Sequence, residues 1–259
     1  MDADKKNLIE QIVKEVLARL EVSDDSSKPF SEFAKYCDHT VLRAYTKQEV
    51  VRRFCDEAKE YGAASVCVNP IHVSFVKGQL KNSNIKTCVV IGFPLGANTP
   101  SVKAFEAKEA VNNGADELDM VINVGALRDG NTNLVLEDIK GVVDAAPGKP
   151  VKVIIETCYL TEDEKNTACE LSLKAGAAYV KTSSGFGTRG ASVEDLRLMR
   201  SVVGNRMKLK ASSDISTLED ARRMVEAGAD RLGVSRVVQI VTGNPDALSA
   251  SIENKPYKG

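Results

Sequence analysis

Short apolar runs alternate with longer stretches of helical periodicity from about residue 34 onward. Eight of these runs predict strands, and they read AKYCDHTVL, ASVCV, KTCVVIGF, DELDMVIN, VKVIIET, AYVKT, MKLKAS and DRLGVS. Between them lie amphipathic stretches such as TKQEVVRRFCDEAKEYG and TLEDARRMVEAG, which predict helices. Strands that alternate with helices in this way predict an α/β fold, a (β/α)8 TIM barrel. A doubly wound open sheet is the alternative, but no G-x-G-x-x-G motif follows the first strand.

A weak internal repeat supports the barrel. Glycine followed by alanine ends a predicted helix before every second strand, at intervals of 52, 62 and 52 residues: Gly62, Gly114, Gly176 and Gly228. A glycine at this place allows the left-handed turn that ends many helices. The repeat indicates a barrel built from βαβα units.

The first 22 residues carry a different pattern. Apolar side chains form one helical stripe there, made of Leu8, Ile9, Ile12, Val13, Val16, Leu17 and Leu20. We interpret residues 1–22 as an amphipathic helix, residues 23–29 as a polar linker and residues 30–259 as the barrel domain. A short helix on a tether needs a partner surface. It either plugs the bottom of the barrel, pairs across a dimer or binds another protein.

Composition narrows the class of protein. The chain has 259 residues, 43% of them hydrophobic, and a formal net charge of −1. This length suits one barrel domain, and the near-neutral charge argues against a nucleic-acid or anionic-membrane partner. No apolar run is long enough to span a bilayer, and MDADKKNLIE lacks a signal-peptide core. None of the six cysteines forms a C-x-x-C pair, so we expect a cytoplasmic, reducing compartment.

Two lysines at predicted strand ends suggest the chemistry. Lys181 ends AAYVK and Lys210 ends MKLK, each followed by small polar residues. Partial desolvation and a neighbouring ammonium both lower a lysine pKa, which favours the neutral amine that attacks a carbonyl. Because most of the 35 Lys and Arg side chains must be solvated, a surface role is the alternative for any one lysine.

Strand alternation adds carboxylates to these lysines. On the fourth predicted strand, Leu118, Met120 and Ile122 should face the helices. Glu117, Asp119 and Val121 should therefore point into the barrel. By the same rule, Asp38 and Thr40 share a face of the first strand. We therefore expect them to meet Lys181 and Lys210 in one pocket that is suited to Schiff-base aldol chemistry. A purely structural buried carboxylate is the alternative for Asp119.

Metal chemistry is not expected. The chain has two histidines, His39 and His72, and no H-E-x-x-H motif. His39 has the opposite parity to Asp38, so we expect it to pack outside the pocket. We predict no cofactor and no metal.

The motifs CDHTVL, GADELDMVIN, KVIIET, VKTSSGFG and LKAS together resemble 2-deoxyribose-5-phosphate aldolase of the DeoC type, from about Phe30 to Ile240. The resemblance implies a metal-independent class I aldolase that reversibly cleaves 2-deoxyribose 5-phosphate to acetaldehyde and glyceraldehyde 3-phosphate. It also implies that Lys181 forms the Schiff base, Asp119 relays protons and Lys210 tunes both. It places Asp38, Thr40, Ser184 and Ser212 at the substrate site.

The sequence departs from this family where phosphate should bind. Ser213, Asp214 and Ser216 replace two glycines and an arginine that usually follow the seventh strand. A carboxylate beside a phosphate is unfavourable unless it is paired or turned away. We expect phosphate to bind through Gly185, Gly233, Ser235 and Arg236, with Arg236 either neutralising Asp214 or contacting phosphate directly. Arg189 is a further possible donor, and a shift to an unphosphorylated aldehyde is the alternative.

Three other interpretations remain open at this stage. Another Schiff-base barrel enzyme, such as a transaldolase or a sugar-acid aldolase, fits the two lysines but not the combination of motifs. A barrel with weakened catalysis that serves as a scaffold fits the altered phosphate loop. Residues 1–22 also resemble the encapsulation peptides that dock enzymes to bacterial microcompartment shell proteins. We expect a homodimer that acts on a small sugar phosphate.

Overall fold

The computed structural model describes residues 31–249, and its centre is a closed barrel of eight parallel strands in sequential order. The predicted (β/α)8 architecture is therefore confirmed. The strands are β1 (Cys37–Val41), β2 (Ser65–Val68), β3 (Lys86–Ile91), β4 (Glu117–Val121), β5 (Val151–Ile154), β6 (Tyr179–Lys181), β7 (Lys208–Ser212) and β8 (Arg231–Val234).

Helices cover the outside of the barrel. They are α1 (Ser31–Ala34), α2 (Gln48–Tyr61), α3 (Val73–Gln79), α4 (Pro100–Asn112), α5 (Val124–Arg128), α6 (Thr132–Ala145), α7 (Glu162–Lys174), α8 (Val193–Val203), α9 (Leu218–Glu226) and α10 (Val237–Thr242). Short 3₁₀ turns follow β2 (Pro70–His72) and β5 (Thr157–Tyr159). Among the described residues, no helix is long and apolar enough to cross a membrane.

The main hydrophobic core lies between the strands and the helices. On β4, Leu118 and Met120 belong to this outer core, as does Val180 on β6. Their neighbours Asp119 and Lys181 therefore point to the inside of the barrel, as strand alternation predicts. This arrangement leaves the interior of the barrel available for polar side chains.

The glycines of the internal repeat end helices as predicted. Gly62 follows α2 with φ of 75° and donates its N–H to the carbonyl of Ala58. Gly228 follows α9 with φ of 107°, a conformation that side-chain-bearing residues rarely adopt. The glycines therefore set the tight helix-to-strand turns of the barrel.

The predicted helix of residues 1–22 and the linker of residues 23–29 lie outside the described residues. These two predictions, and the association of two chains into a homodimer, therefore stay predictions.

Candidate active site

Asp119 lies at the centre of a buried cluster of charged side chains inside the barrel. Its Oδ2 atom accepts hydrogen bonds from Lys181 Nζ at 2.7 Å and Lys210 Nζ at 2.6 Å. Its Oδ1 atom accepts from Lys152 Nζ at 2.9 Å. Strands β4, β5, β6 and β7 thus each deliver one of these side chains to the same point. The predicted meeting of Asp119, Lys181 and Lys210 is observed.

A second layer of charges lies beside this cluster. Asp38 on β1 is fully buried and forms ion pairs with Lys210 and with Arg231 of β8. Glu117 pairs with Lys152 at 2.6 Å and with Arg231 at 3.0 Å. The carboxylates are thereby shared between cations, which is how buried charges are tolerated in a protein interior.

The electrostatics of the cluster favour its charged forms. Burial by itself raises the pKa of Asp119, but the charges of Lys152, Lys181 and Lys210 outweigh burial and hold that pKa well below its usual value. Burial lowers the pKa of Lys210, yet Asp119 and Asp38 outweigh it and raise this pKa above the usual range. The expectation of a lowered lysine pKa is therefore wrong for Lys210, because the sequence did not reveal how many carboxylates surround it.

A cavity of about 390 Å³ opens above this cluster at the carboxyl ends of the strands. Lys181 lines the cavity and also contacts Asp119, so it connects the buried charges to the open space. This is the end at which TIM barrels carry their active sites. Seven of the eight predicted binding residues also line the cavity: Thr40, Ser184, Gly185, Ser212, Gly233, Ser235 and Arg236.

Asp38, Asp119 and Lys210 do not line this cavity. All three side chains are fully buried beneath it. Asp38 accepts from Ser65 Oγ at 2.6 Å in addition to its ion pairs. Asp38 is therefore placed to act through Lys210 and Asp119 rather than by touching a molecule in the cavity.

His39 lies outside the barrel interior, as predicted. Its ring stacks on Phe54 with centroids 4.1 Å apart, and its Nε2 atom lies 2.7 Å from a carboxylate oxygen of Glu57. These contacts join β1 to α2. They explain the histidine by packing and hydrogen bonding.

The unusual loop after β7 keeps a glycine-like backbone without glycine. Ser213 and Asp214 have φ of 71° and 59°, in the left-handed region. The Oδ2 atom of Asp214 accepts a hydrogen bond from Gly190 N at 2.6 Å, so this carboxylate is tied to the loop after β6. Asp214 and Arg236 both line the cavity, but among the described residues no ion pair within 4.0 Å joins them. The expectation that Arg236 neutralises Asp214 is therefore wrong, and contact with phosphate stays the proposed role of Arg236.

Arg189 has a different partner from the one considered in the sequence. Its guanidinium donates to Asp195 at 2.6 Å and to the carbonyl of Gly190, and the residue does not line the cavity. The suggestion that Arg189 contacts phosphate is therefore not supported, because its guanidinium binds Asp195 and the residue does not line the cavity.

Sequence reasoning missed Lys152 and Arg231 as members of the cluster, and it placed Glu117 on the inward face of its strand without assigning it a partner. Lys152 interrupts the apolar run VKVII, and it is a direct register neighbour of Asp119 across β4 and β5. A charged residue inside a strand that is buried on both faces was the available signal. Arg231 gave a weaker signal, because it begins its strand.

Two sets of side chains could offer three ligands to a metal ion in the described part of the chain. They are Cys67, Cys88 and Asp119, and Asp38, Cys88 and Glu117. Burial, a hydrogen bond with Cys67 and the charge of Asp119 raise the pKa of the Cys88 thiol well above its usual value. The carboxylates already bind ammonium or guanidinium groups. A protonated thiol beside neutralised carboxylates is a poor site for a cation.

Comparison with known proteins identifies the family. Residues 33–239 match the model of the DeoC/LacD family aldolase. The chain belongs to this family of aldolases. A deoxyribose-phosphate aldolase of Streptococcus suis is 59% identical over 209 residues, covering 81% of this chain and 95% of the relative. One of Thermococcus kodakarensis is 57% identical, covering 83% of this chain and 98% of the relative.

Solved structures of the family show the same fold. The tetrameric deoxyribose phosphate aldolase of Aeropyrum pernix matches with a TM-score of 0.77 and 32% identity, covering 82% of this chain and 90% of that one. An aldolase called QR15 matches with a TM-score of 0.78 and 42% identity, covering 81% and 94%. We therefore interpret the lysine and aspartate cluster as part of an aldolase active site.

Proposed function

We propose that this protein is a class I aldolase that reversibly cleaves 2-deoxy-D-ribose 5-phosphate to acetaldehyde and D-glyceraldehyde 3-phosphate. The observation that carries the proposal is Lys181, the one lysine of the three around Asp119 that also lines the cavity. Relatives named deoxyribose-phosphate aldolase, at 55–59% identity, support the choice of sugar.

The reaction begins at Lys181. Its neutral amine attacks the C1 aldehyde carbon of the open-chain sugar, and loss of water gives a protonated Schiff base. The C3 hydroxyl then loses its proton, the C2–C3 bond breaks, and its electron pair moves into the iminium to form an enamine. Glyceraldehyde 3-phosphate leaves. Protonation of C2 and hydrolysis of the imine release acetaldehyde and restore the lysine.

In this reaction, Asp119 and Lys210 carry protons and balance charge. Four cations and three carboxylates share the barrel interior: Lys152, Lys181, Lys210, Arg231, Asp38, Glu117 and Asp119. This set carries one excess positive charge when every group is ionised. Loss of one proton, which the attacking amine requires, leaves the charges balanced. Asp119, within 3 Å of all three lysines, is the group through which protons move between them.

The phosphate group binds at the side of the cavity formed by the loop after β6, the end of β8 and the loop that follows β8. Gly185, Gly233, Ser235 and Arg236 offer backbone amides, a hydroxyl and a guanidinium there. The hydrogen bond from Gly190 N to Asp214 holds that carboxylate against the loop. Arg236 supplies a positive charge in place of the arginine that Ser216 replaces.

A second candidate is an aldolase of the same mechanism with an unphosphorylated aldehyde substrate. Asp214 supports it, because this exposed carboxylate lines the same cavity as Arg236. Relative turnover of 2-deoxyribose 5-phosphate and 2-deoxyribose separates the two candidates. A preference for the phosphorylated sugar supports the first.

Borohydride trapping tests the covalent mechanism. We expect reduction in the presence of 2-deoxyribose 5-phosphate to leave an adduct on Lys181, found by peptide mass mapping and absent in Lys181→Ala. An adduct on Lys152 or Lys210 instead, or none on folded protein, would contradict the assignment.

Residues 1–22 have a separate proposed role, the binding of microcompartment shell proteins. The family model begins at residue 33, so the apolar stripe of residues 8–20 precedes the aldolase domain. Deletion of residues 1–28 should abolish co-purification with shell proteins and leave the kinetic constants unchanged. Co-purification that survives the deletion would refute this role. The proposed homodimer is tested on the same two proteins by their mass in solution.

A further inference from the structure

Glu156, which follows β5, has an unusual backbone and an unusual environment. Its φ of 54° and ψ of 65° lie in the left-handed region, which a glutamate adopts at a cost. Its side chain is 2% exposed, and it forms no ion pair with any described residue. A strained, buried and unpaired carboxylate of this kind points to a functional constraint.

The partners of Glu156 all belong to two loops at the carboxyl end of the barrel. Both carboxylate oxygens accept from Ser184 N at 3.2 Å, and Oε2 also accepts from Ser184 Oγ. The thiol of Cys158 lies 3.8 Å from Oε1. Glu156 therefore joins the loop after β5 to the loop after β6, which carries Gly185.

The peptide between Ser183 and Ser184 is held at both of its ends. Glu156 binds the Ser184 N–H, and Ser212 Oγ donates to the Ser183 carbonyl at 2.5 Å. The hydroxyl of Ser184 in turn accepts from Phe186 N at 3.1 Å. These bonds fix the residues on each side of Gly185 and leave the Gly185 amide, which makes no hydrogen bond within the described chain, at the cavity wall.

The close packing around the carboxylate leaves little freedom for this loop. A side chain at Gly187 would approach Cys158 Sγ to 2.6 Å and Glu156 Oε1 to 3.1 Å. Glu156 does not itself line the cavity. It is therefore placed to act on a bound molecule only through the loop.

The strand that carries Lys181 is held independently of the Glu156 side chain. Ile155 N donates to the Lys181 carbonyl at 3.0 Å, and Thr157 N donates to the Thr182 carbonyl at 2.9 Å. Loss of the carboxylate should therefore disturb Gly185 much more than it disturbs Lys181.

We infer that Glu156 is a positioning residue that holds the loop of residues 183–187 in the shape that binds the phosphate end of the substrate. The inference rests on the proposed function, because it takes Gly185 as a phosphate-binding residue. It assigns to Glu156 a role in recognising the phosphoryl group and no role in bond cleavage.

The test is Glu156→Gln in the full chain, with two substrates and one anion. Glutamine keeps the shape but offers one acceptor oxygen instead of two. We expect KM for 2-deoxyribose 5-phosphate to rise about tenfold. The kcat/KM for unphosphorylated 2-deoxyribose should stay within about twofold of wild type. Calorimetry with inorganic phosphate should show affinity weakened by a similar factor to the rise in KM, and this measurement needs no turnover.

Asp116→Asn is the matched control. Asp116 precedes β4 at the opposite end of the barrel and accepts from Thr87 N at 3.1 Å. The Asp116→Asn variant should lower Tm without changing the ratio of kcat/KM between the two substrates.

Equal losses of kcat/KM for both substrates in Glu156→Gln, or unchanged phosphate affinity, would overturn the inference. If Glu156→Gln does not fold, Ser184→Ala, which breaks the bond to Phe186 N, should weaken phosphate binding in the same direction. Wild-type protein that binds phosphate but turns over neither sugar would refute the proposed function alone.

Discussion

Asp119 binds three ammonium groups with two oxygen atoms, so we expect its charge to matter both for stability and for the proposed proton transfer. Lys181 and Lys210 share Oδ2, and Lys152 binds Oδ1. Removing one partner from a buried ion pair costs about 3–5 kcal/mol, since the remaining charges are left uncompensated.

Asp119→Asn should therefore lower kcat by roughly 10² to 10⁴, the range that a positioned acid–base group contributes. It should also lower Tm, because three ammonium groups would then face one another. Asp138→Asn provides the control, since it breaks the buried pair with Lys103 at 2.6 Å outside the barrel. That control should lose stability and keep most of its kcat. Wild-type kcat in Asp119→Asn would contradict the role of Asp119.

Lys152 binds Asp119 and Glu117 but does not line the cavity. Lys152→Met removes its charge at similar volume. We expect kcat to fall by at least about tenfold, because Asp119 and Glu117 each lose a cation. Borohydride trapping on Lys181 should persist in this variant. Its disappearance would show that Lys152 is required for Schiff-base formation itself.

Arg236 and Arg189 form a matched pair of arginines with different surroundings. Arg236 lines the cavity, whereas Arg189 is paired with Asp195. Arg236→Ala should raise KM for 2-deoxyribose 5-phosphate about tenfold and leave KM for 2-deoxyribose unchanged. Arg189→Ala should leave KM unchanged for both sugars. An equal rise in KM for both sugars in Arg236→Ala would remove Arg236 from the phosphate site.

At the scale of the elements, helix starts contribute stability that is separate from catalysis. Thr161 caps α7 by accepting from Glu164 N at 3.3 Å, and Glu164 accepts from Thr161 N at 2.7 Å in return. This reciprocal pair satisfies two backbone donors at the start of the helix.

Thr161→Ala should cost about 1 kcal/mol and lower Tm by about 2–4 °C. Thr161→Ser, which keeps the hydroxyl, should retain most of that stability. The kinetic constants of both variants should equal those of wild type, because no residue of α7 or of the loop before it lines the cavity. Thermal unfolding followed by circular dichroism measures the difference.

At the scale of the whole molecule, the ion pairs make stability depend on pH. Burial raises the pKa of Asp195, but its bonds to Arg189 and Lys165 outweigh burial and lower it. A carboxyl with a lowered pKa in the folded state adds stability that is present above its unfolded pKa of about 3.9. This stability is lost as pH falls toward the folded value.

The free energy of unfolding should therefore decrease as pH falls from about 5 to 3, and Asp195→Asn should show a shallower decrease. Urea unfolding at several pH values measures both slopes. Equal slopes would mean that Asp195 ionises alike in the folded and unfolded chains.

The fold, and the side chains that meet inside it, follow from patterns in the amino-acid sequence. Alternation of apolar runs with helical periodicity specified eight strands, because each pattern buries an apolar face in only one kind of element. Period-two alternation also fixed which side chains of β4 and β6 point inward. The sequence alone therefore predicts that Asp119, Lys181 and Lys210 lie together.

The environment of these groups, in contrast, arises only when the barrel closes. The pKa direction at Lys210 depends on Asp38 and Asp119, which lie on distant strands and approach it only when the barrel closes. The partner of Asp214 is the backbone of Gly190, a contact that no side-chain pattern encodes. Strand periodicity fixes the face on which a residue lies, whereas electrostatics and hydrogen bonding depend on distances between elements far apart in the chain.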